Sequence, residues 1–331
     1  MNRKYINEKM KQMRILIFGT GVIGSTTGWQ LQKRNYITHF VRSDKLNNLE
    51  LNGIDITCCD LRKWKNRTST VNYMPNFIDT LNNIENYNAL LISVKSNQLI
   101  NVLKEYNEYF KKIPVFIMQN VGLNDYDEIE TLLGQNVSFL YPFIMGGGRS
   151  GNKIECSIFN SFINSMVIGN MRSAFIQIEK DIFRELKFSK LQPSYSKNIV
   201  AYLKLHYVWA ACALASYFKC TSYSDFCKIS VIKDSYKAMT ECFSHFRKEG
   251  INSKTIFPYN LYHFPSILLA VYSKILYQNE AMKIMVEGHI KSSPDEMEVM
   301  YNTLYDYCNE SIDSMRVFKG YRSYVDNFFK G

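Results

Sequence analysis

The chain has 331 residues, is 46% hydrophobic and 21% charged, and carries a formal net charge of +10 at pH 7. That is a globular composition with material for one large or two moderate cores and no low-complexity tract or repeat, which excludes a fibrous or disordered protein. Basic residues are dispersed among acids, which argues against a nucleic-acid partner and suits an anionic cofactor and an anionic substrate.

Residues 1–12 are basic but lack an apolar h-region, so they read as an extension ahead of a folded unit beginning at Met13 rather than as a secretory signal. The run 14–24, Arg-Ile-Leu-Ile-Phe-Gly-Thr-Gly-Val-Ile-Gly, predicts a buried strand that stops at glycine and opens a helix reaching Arg34. Further strands are predicted at 37–41, 54–58, 89–94, 115–118 and 137–140, with helices at 97–110 and 125–133. Such strand-helix alternation implies a mostly parallel, doubly wound sheet. Residues 154–168 are expected to add one or two edge strands.

From Pro193 the apolar spacing is helical almost throughout, over 196–218, 229–249, 265–286 and 295–317. The expected fold is therefore α/β plus all-α: a Rossmann-type domain over 13–190 and a helical substrate or dimerisation domain over 191–331. The longest uncharged apolar stretch, 207–218, is too short to span a bilayer, so no membrane role is expected. Eight cysteines occur without a CxxC pair, and Cys58-Cys59 lies in a strand-like stretch. Reduced, mostly buried thiols in a cytoplasmic protein, with no metal site, is the reading that follows. The basic cluster Arg62, Lys63, Lys65 and Arg67 around Trp64 reads as a solvated loop.

Gly19, Gly21 and Gly24 have the GxGxxG spacing that follows the first strand of a dinucleotide-binding βαβ unit. The first glycine permits the turn, the second lets the backbone approach a pyrophosphate, and the third lets helix and strand pack closely. With Thr20, Val22 and Ile23 they would place phosphates on the helix N-terminus. At the end of the second strand, where an acidic residue would bind the ribose of NAD, stands Arg42, with Lys45 close behind. A guanidinium there grips a 2′-phosphate, which points to NADP(H). Lys95 and Asn120 fall at the carboxyl ends of the next strands, on the side from which a carbonyl substrate must approach.

The 14–25 run, Val94-Lys95-Ser96, Gln119-Asn120 and the helical second half together resemble the ketopantoate reductase (2-dehydropantoate 2-reductase) family across nearly the whole chain. The resemblance implies NADPH-dependent reduction of a 2-oxo acid, 2-dehydropantoate to pantoate in pantothenate biosynthesis, with Lys95 and Asn120 beside nicotinamide and substrate. It also implies a lysine acid from a Trp-x-Lys-Leu-x-x-Asn pattern on the first long helix of the second domain. Here that helix reads Tyr202-Leu203-Lys204-Leu205-His206-Tyr207-Val208, which makes Lys204 the matching acid and leaves Val208 where the pattern has asparagine. Lys204 and His206 lie on nearly opposite faces, so only one can enter the cleft, and His206 would be the acid or a substrate ligand if the register shifts. Glu296, in Pro294-Asp295-Glu296, matches a substrate-binding glutamate of the family. The departures leave open a reductase of another ketone or 2-oxo acid, or a non-catalytic NADP-binding protein, and a homodimer is compatible with either.

Overall fold

The computed structural model describes residues 12–160 and 163–330; of the expected 1–12 extension, 1–11 lie outside them. The strands, in chain order, are β1 Arg14–Phe18, β2 Tyr36–Phe40, β3 Ile54–Asp60, β4 Thr68–Tyr73, β5 Asn76–Ile78 and β6 Ala89–Ile92. β7 Val115–Ile117, β8 Val137–Pro142, β9 Met145–Ser150, β10 Lys153–Ile158, β11 Met166–Gly169 and β12 Pro193–Tyr195 follow. Helices of the sheet half are α1 Val22–Leu31, α2 Ser43–Asn52, α3 Leu99–Glu105, α4 Asn107–Phe110, α5 Tyr126–Leu133 and α6 Gln177–Phe188. After β12 come α7 Ile199–Phe218, α8 Tyr223–Phe226, α9 Ile229–Lys248, α10 Ser266–Tyr277, α11 Glu280–Ser292, α12 Pro294–Tyr307, α13 Arg316–Gly320 and α14 Arg322–Lys330.

The main sheet has the order β12-β11-β8-β7-β6-β1-β2-β5 and is parallel except where β11 runs antiparallel to β8. β6, β7 and β8 are buried along their whole length, as strands covered on both faces must be. From β1 the chain winds one way through β2 and β5 and the other way through β6, β7 and β8. The switch point, where a crevice opens, thus lies beyond the ends of β1 and β6. The α/β-plus-helical class is as expected.

Some assignments need correction. β3 does not join the main sheet: it pairs with β4 and β10 in a second sheet of order β4-β3-β10-β9. β10, expected as an edge strand, is central there, and β11 lies inside the main sheet between β8 and β12. Periodicity alone cannot distinguish partners for short apolar runs. The small sheet packs between α1 and α11. Gly288 of α11 meets the backbone of Gly148 in β9, where a Cβ on either would overlap the other's main chain.

The helix predicted over 265–286 is two helices, because the Asn279 side chain accepts from Ala281 N and starts α11 afresh. The helix predicted over 97–110 likewise divides at Tyr106. Arg62 is no solvated residue: its guanidinium bonds Asp60 (2.8 and 2.9 Å), Gln30 (2.9 Å) and Ser189 O (3.0 Å), tying β3 to α1 and to the end of α6. Burial opposes ionisation of Asp60, but these bonds still hold its carboxyl below the usual range. Trp64 is 87% exposed.

α7 is the core helix of the second half, packed by α9, α12 and α14. Among the described residues it is long and apolar enough to cross a membrane by length and composition, since the helix starts earlier than the 207–218 stretch, and 78% of its apolar window is buried in the protein. All eight cysteines are free thiols, seven of them buried.

Candidate functional site

At the end of β1, Gly19 has φ +107°, and a Cβ there would collide with the Ser93 carbonyl at the end of β6. Only glycine lets the two strand ends come this close. A Cβ on Gly24 would lie 3.2 Å from Gly19 O, Ile17 Cγ2 and Ser93 Cβ, so the third glycine brings α1 onto the strands. A Cβ on Gly21 would meet nothing within 4 Å. Gly21 caps α1 without a side-chain hydrogen bond, and the first turn has no acidic residue, so amide donors and the positive end of the helix face open space.

Two residues that sequence reasoning missed brace this loop. His39 Nδ1 lies 2.8 Å from Gly19 O and Nε2 lies 3.0 Å from Tyr73 Oη. Burial lowers its pKa to about 4, so the ring is neutral; Nδ1–H donates to the carbonyl and Nε2 accepts from the tyrosine. Arg149, from β9, donates through Nη1 to Thr20 O and Thr20 Oγ1 and through Nε to Gly151 O at 2.7 Å, which sets a cation against the glycine loop. Neither residue belongs to a local motif; each reaches the loop from another strand.

Arg42 stands just beyond β2 at the mouth of the cleft, largely exposed, with its nearest acid, Asp44, at 3.6 Å. At the tip of β6, Lys95 Nζ pairs with Asp295 at 2.8 Å and 3.0 Å, and Glu296 Oε1 accepts from Ser96 N at 2.9 Å. The Lys95 bond holds the Asp295 carboxyl below its ordinary range. Residues 200 positions apart are thus joined at the start of α12, whose Pro294 occupies the first helical turn. Beyond β7, both amide atoms of Gln119 are buried without a partner, and Asn120 lies beside Tyr141 and Met300. A paired donor and acceptor left unsatisfied at a cleft wall is the condition that a ligand relieves.

The packing of α7 turns Lys204, the expected acid, away from the cleft. Lys204 Nζ donates to Tyr307 Oη at 3.0 Å, among the rings of Tyr126 and Tyr307, and does not line the cleft. Val208, on the same face, is fully buried, so its mismatch with the family pattern leaves no missing contact in the cleft. The opposite face carries His206, Trp209, Ala210 and Ala213 into the cleft. The His206 ring packs on Tyr141, Phe143 and Trp209, with centroids 4.3, 5.0 and 5.2 Å away, and its Nδ1 lies 2.9 Å from Tyr259 Oη. Burial takes its pKa down to about 3, so it too is neutral. His289 of α11 also reaches the cleft; burial lowers its pKa, against the opposing charge of Glu296.

These groups line one cleft of about 760 Å³ that runs from Arg42 and Lys45, past the glycine loop, to Lys95, Asn120, His206 and Glu296. Open space over Gly21, uncapped amides, the Arg149 and Arg42 cations and the orphaned Gln119 amide fit a phosphorylated dinucleotide. No cluster of metal-ligating side chains occurs among the described residues.

Residues 15–172 match the family model "Ketopantoate reductase PanE/ApbA", a family of NAD(P)-dependent oxidoreductases acting on a CH–OH group. No curated protein matches the chain significantly. Among solved structures it is similar to the 2-dehydropantoate 2-reductase from Geobacter metallireducens GS-15, at 13% identity and TM-score 0.68 over 95% of this chain and 99% of that one. A second 2-dehydropantoate 2-reductase, from Methylococcus capsulatus, is 17% identical with TM-score 0.66 over 96% of each chain. A D-mandelate dehydrogenase in complex with NADH is 14% identical with TM-score 0.65 over 95% of this chain and 98% of that one. At such identities the likeness is one of fold.

Proposed function

We propose that this protein reduces a 2-oxo acid to the 2-hydroxy acid with NADPH in the cytoplasm, within a Rossmann domain over 13–190 and a helical substrate domain over 191–331. The supporting observation is the convergence of Lys95, Asn120, His206 and Glu296 on the cleft that begins at the glycine loop. In this reading the amides after Gly21 and the Arg149 guanidinium hold the pyrophosphate, and Arg42 with Lys45 holds the 2′-phosphate. Gln119 offers its unpaired amide to the nicotinamide carboxamide. When bound, NADPH supplies a hydride to the ketone carbon.

Asn120 orients the ketone, and Lys95, held at Nζ by Asp295, is the group with a proton to give to the developing alkoxide. His206, kept neutral by burial and fixed at Nδ1 by Tyr259, contributes through Nε2 as a hydrogen-bond donor that needs no reorganisation. Glu296 contacts the substrate and locks the Lys95 loop through Ser96 N. The acid role thereby passes from Lys204 to Lys95.

The test is NADPH oxidation with 2-dehydropantoate and simpler 2-oxo acids in Lys95→Met and Lys204→Met variants. Lys95→Met is expected to lower kcat by about 10²-fold or more while NADPH affinity changes little, and Lys204→Met to keep kcat within about threefold. The reverse pattern would return the acid to Lys204. Tight NADPH binding with no turnover of any carbonyl compound would favour the non-catalytic reading.

A further inference from the structure

Beyond His206 the cleft changes character. Successive residues on the same face of α7 are Trp209, Ala210, Ala213 and Leu214, at offsets of three, four, seven and eight from the histidine. At 1.5 Å per residue this face runs about 12 Å from His206 to Leu214. The two alanines leave the space, and Phe226, Met282, Met285 and Val286 close it from the facing elements. The Tyr277 ring stacks on Phe226 with centroids 5.2 Å apart, and its hydroxyl is engaged by Tyr236 rather than offered to the cleft. Lys95, Asn120, Glu296 and His289 all belong to the other end.

We infer that this recess is the specificity pocket for the substrate side chain and that it selects 2-oxo acids with a bulky apolar group, aromatic or branched, at C3 over small or hydroxylated ones. The inference rests on the 2-oxo acid reductase reading and adds the substrate class to it. An apolar side chain exchanges water for the α7 face, the methionines and the Trp209 ring. A hydroxylated side chain entering the same recess loses its water partners, and the side chains of Ala210, Ala213, Leu214, Phe226, Met282 and Val286 offer it no donor or acceptor in exchange. Two methionines in the wall accommodate more than one apolar shape, so the selection is for class rather than for a single compound.

The test uses the full chain with NADPH and a panel of phenylglyoxylate, phenylpyruvate, 4-methyl-2-oxopentanoate, pyruvate and 2-dehydropantoate. The expected result is kcat/KM for the apolar members roughly 10- to 100-fold above pyruvate and 2-dehydropantoate, the discrimination that one or two buried carbons give. In Ala213→Leu, which fills the recess, the ratio of kcat/KM for phenylglyoxylate to that for pyruvate should fall at least about tenfold. Equal or better turnover of pyruvate or 2-dehydropantoate by the wild-type protein would overturn the pocket assignment while leaving the reductase reading intact. If no 2-oxo acid is reduced, the reductase reading fails by itself, and the fluorescence of Trp209, isolated in a Trp29→Phe/Trp64→Phe protein, still decides the pocket. Stronger quenching by phenylglyoxylate than by pyruvate, reduced in Ala213→Leu, upholds the recess, and equal affinities for the two acids overturn it.

Discussion

The two walls of the cleft are built on different principles. On the sheet side the glycine loop works through backbone: Gly19 combines a positive φ with a Ser93 carbonyl that leaves no room for a Cβ, and α1 presents its amides because nothing caps them. On the helical side, α7 works through side chains, and which of them enter the cleft depends on how the helix is rotated against α9 and α12. A backbone site announces itself in the residues that build it. A helix-face site does not, because one apolar sequence can be turned by packing.

The sharpest way to break this comparison is a pair of glycine variants. Gly19→Ala forces both strain and a collision, so a loss on the order of 3 kcal/mol in unfolding free energy is expected, together with loss of NADPH binding. Gly21→Ala meets no protein atom, so its melting temperature should match the wild type while NADPH affinity falls at least about tenfold. If Gly21→Ala binds NADPH normally, the loop does not cradle phosphates.

The histidines give the next effect. His39 titrates at about 4 when folded against about 6.5 unfolded, so the unfolded chain takes up the proton first. The stabilisation from keeping the ring neutral is complete above pH 6.5 and is lost as pH falls toward 4, by about 3 kcal/mol for this ring alone. His206 adds to the decline in the same direction. Urea unfolding at pH 7 and pH 4.5 should show the drop, and His39→Gln should show a clearly smaller one; an identical pH dependence in the variant would remove His39 as a source.

The smallest effect concerns the cleft mouth. Arg42→Ala should weaken NADPH by about tenfold and NADH by less than about twofold, read as the ratio of the two KM values. Equal losses would detach Arg42 from the 2′-phosphate.

Much of the sheet half was legible because its strands are short apolar runs closed by glycine or polar residues, and the helical half because its apolar spacing repeats every three to four residues. What could not be read was partnership. β3 looks like another strand of the main sheet, yet it leads the second sheet, because alternation says which residues are buried and not against what. Arg149 and His39 converge on Thr20 and Gly19 from distant strands, with no local signature. The Lys-Leu pair on α7 matched a family pattern by sequence, but Tyr307 and Tyr126 receive Lys204 inside the bundle while His206 turns to the cleft.

By itself, the amino-acid sequence determined the nucleotide loop, the cation beyond the second strand, the order of sheet half and helical half, and the polar tips at Lys95 and Asn120. Those are local properties: backbone freedom at glycine, charge, and the period of apolar residues. Only the tertiary structure decided which face of α7 meets the cleft, that Lys95 is joined to Asp295, and that an apolar recess continues past His206. A nearly all-apolar helix carries no amphipathic signal to set its rotation, so the choice falls to the side chains packed around it.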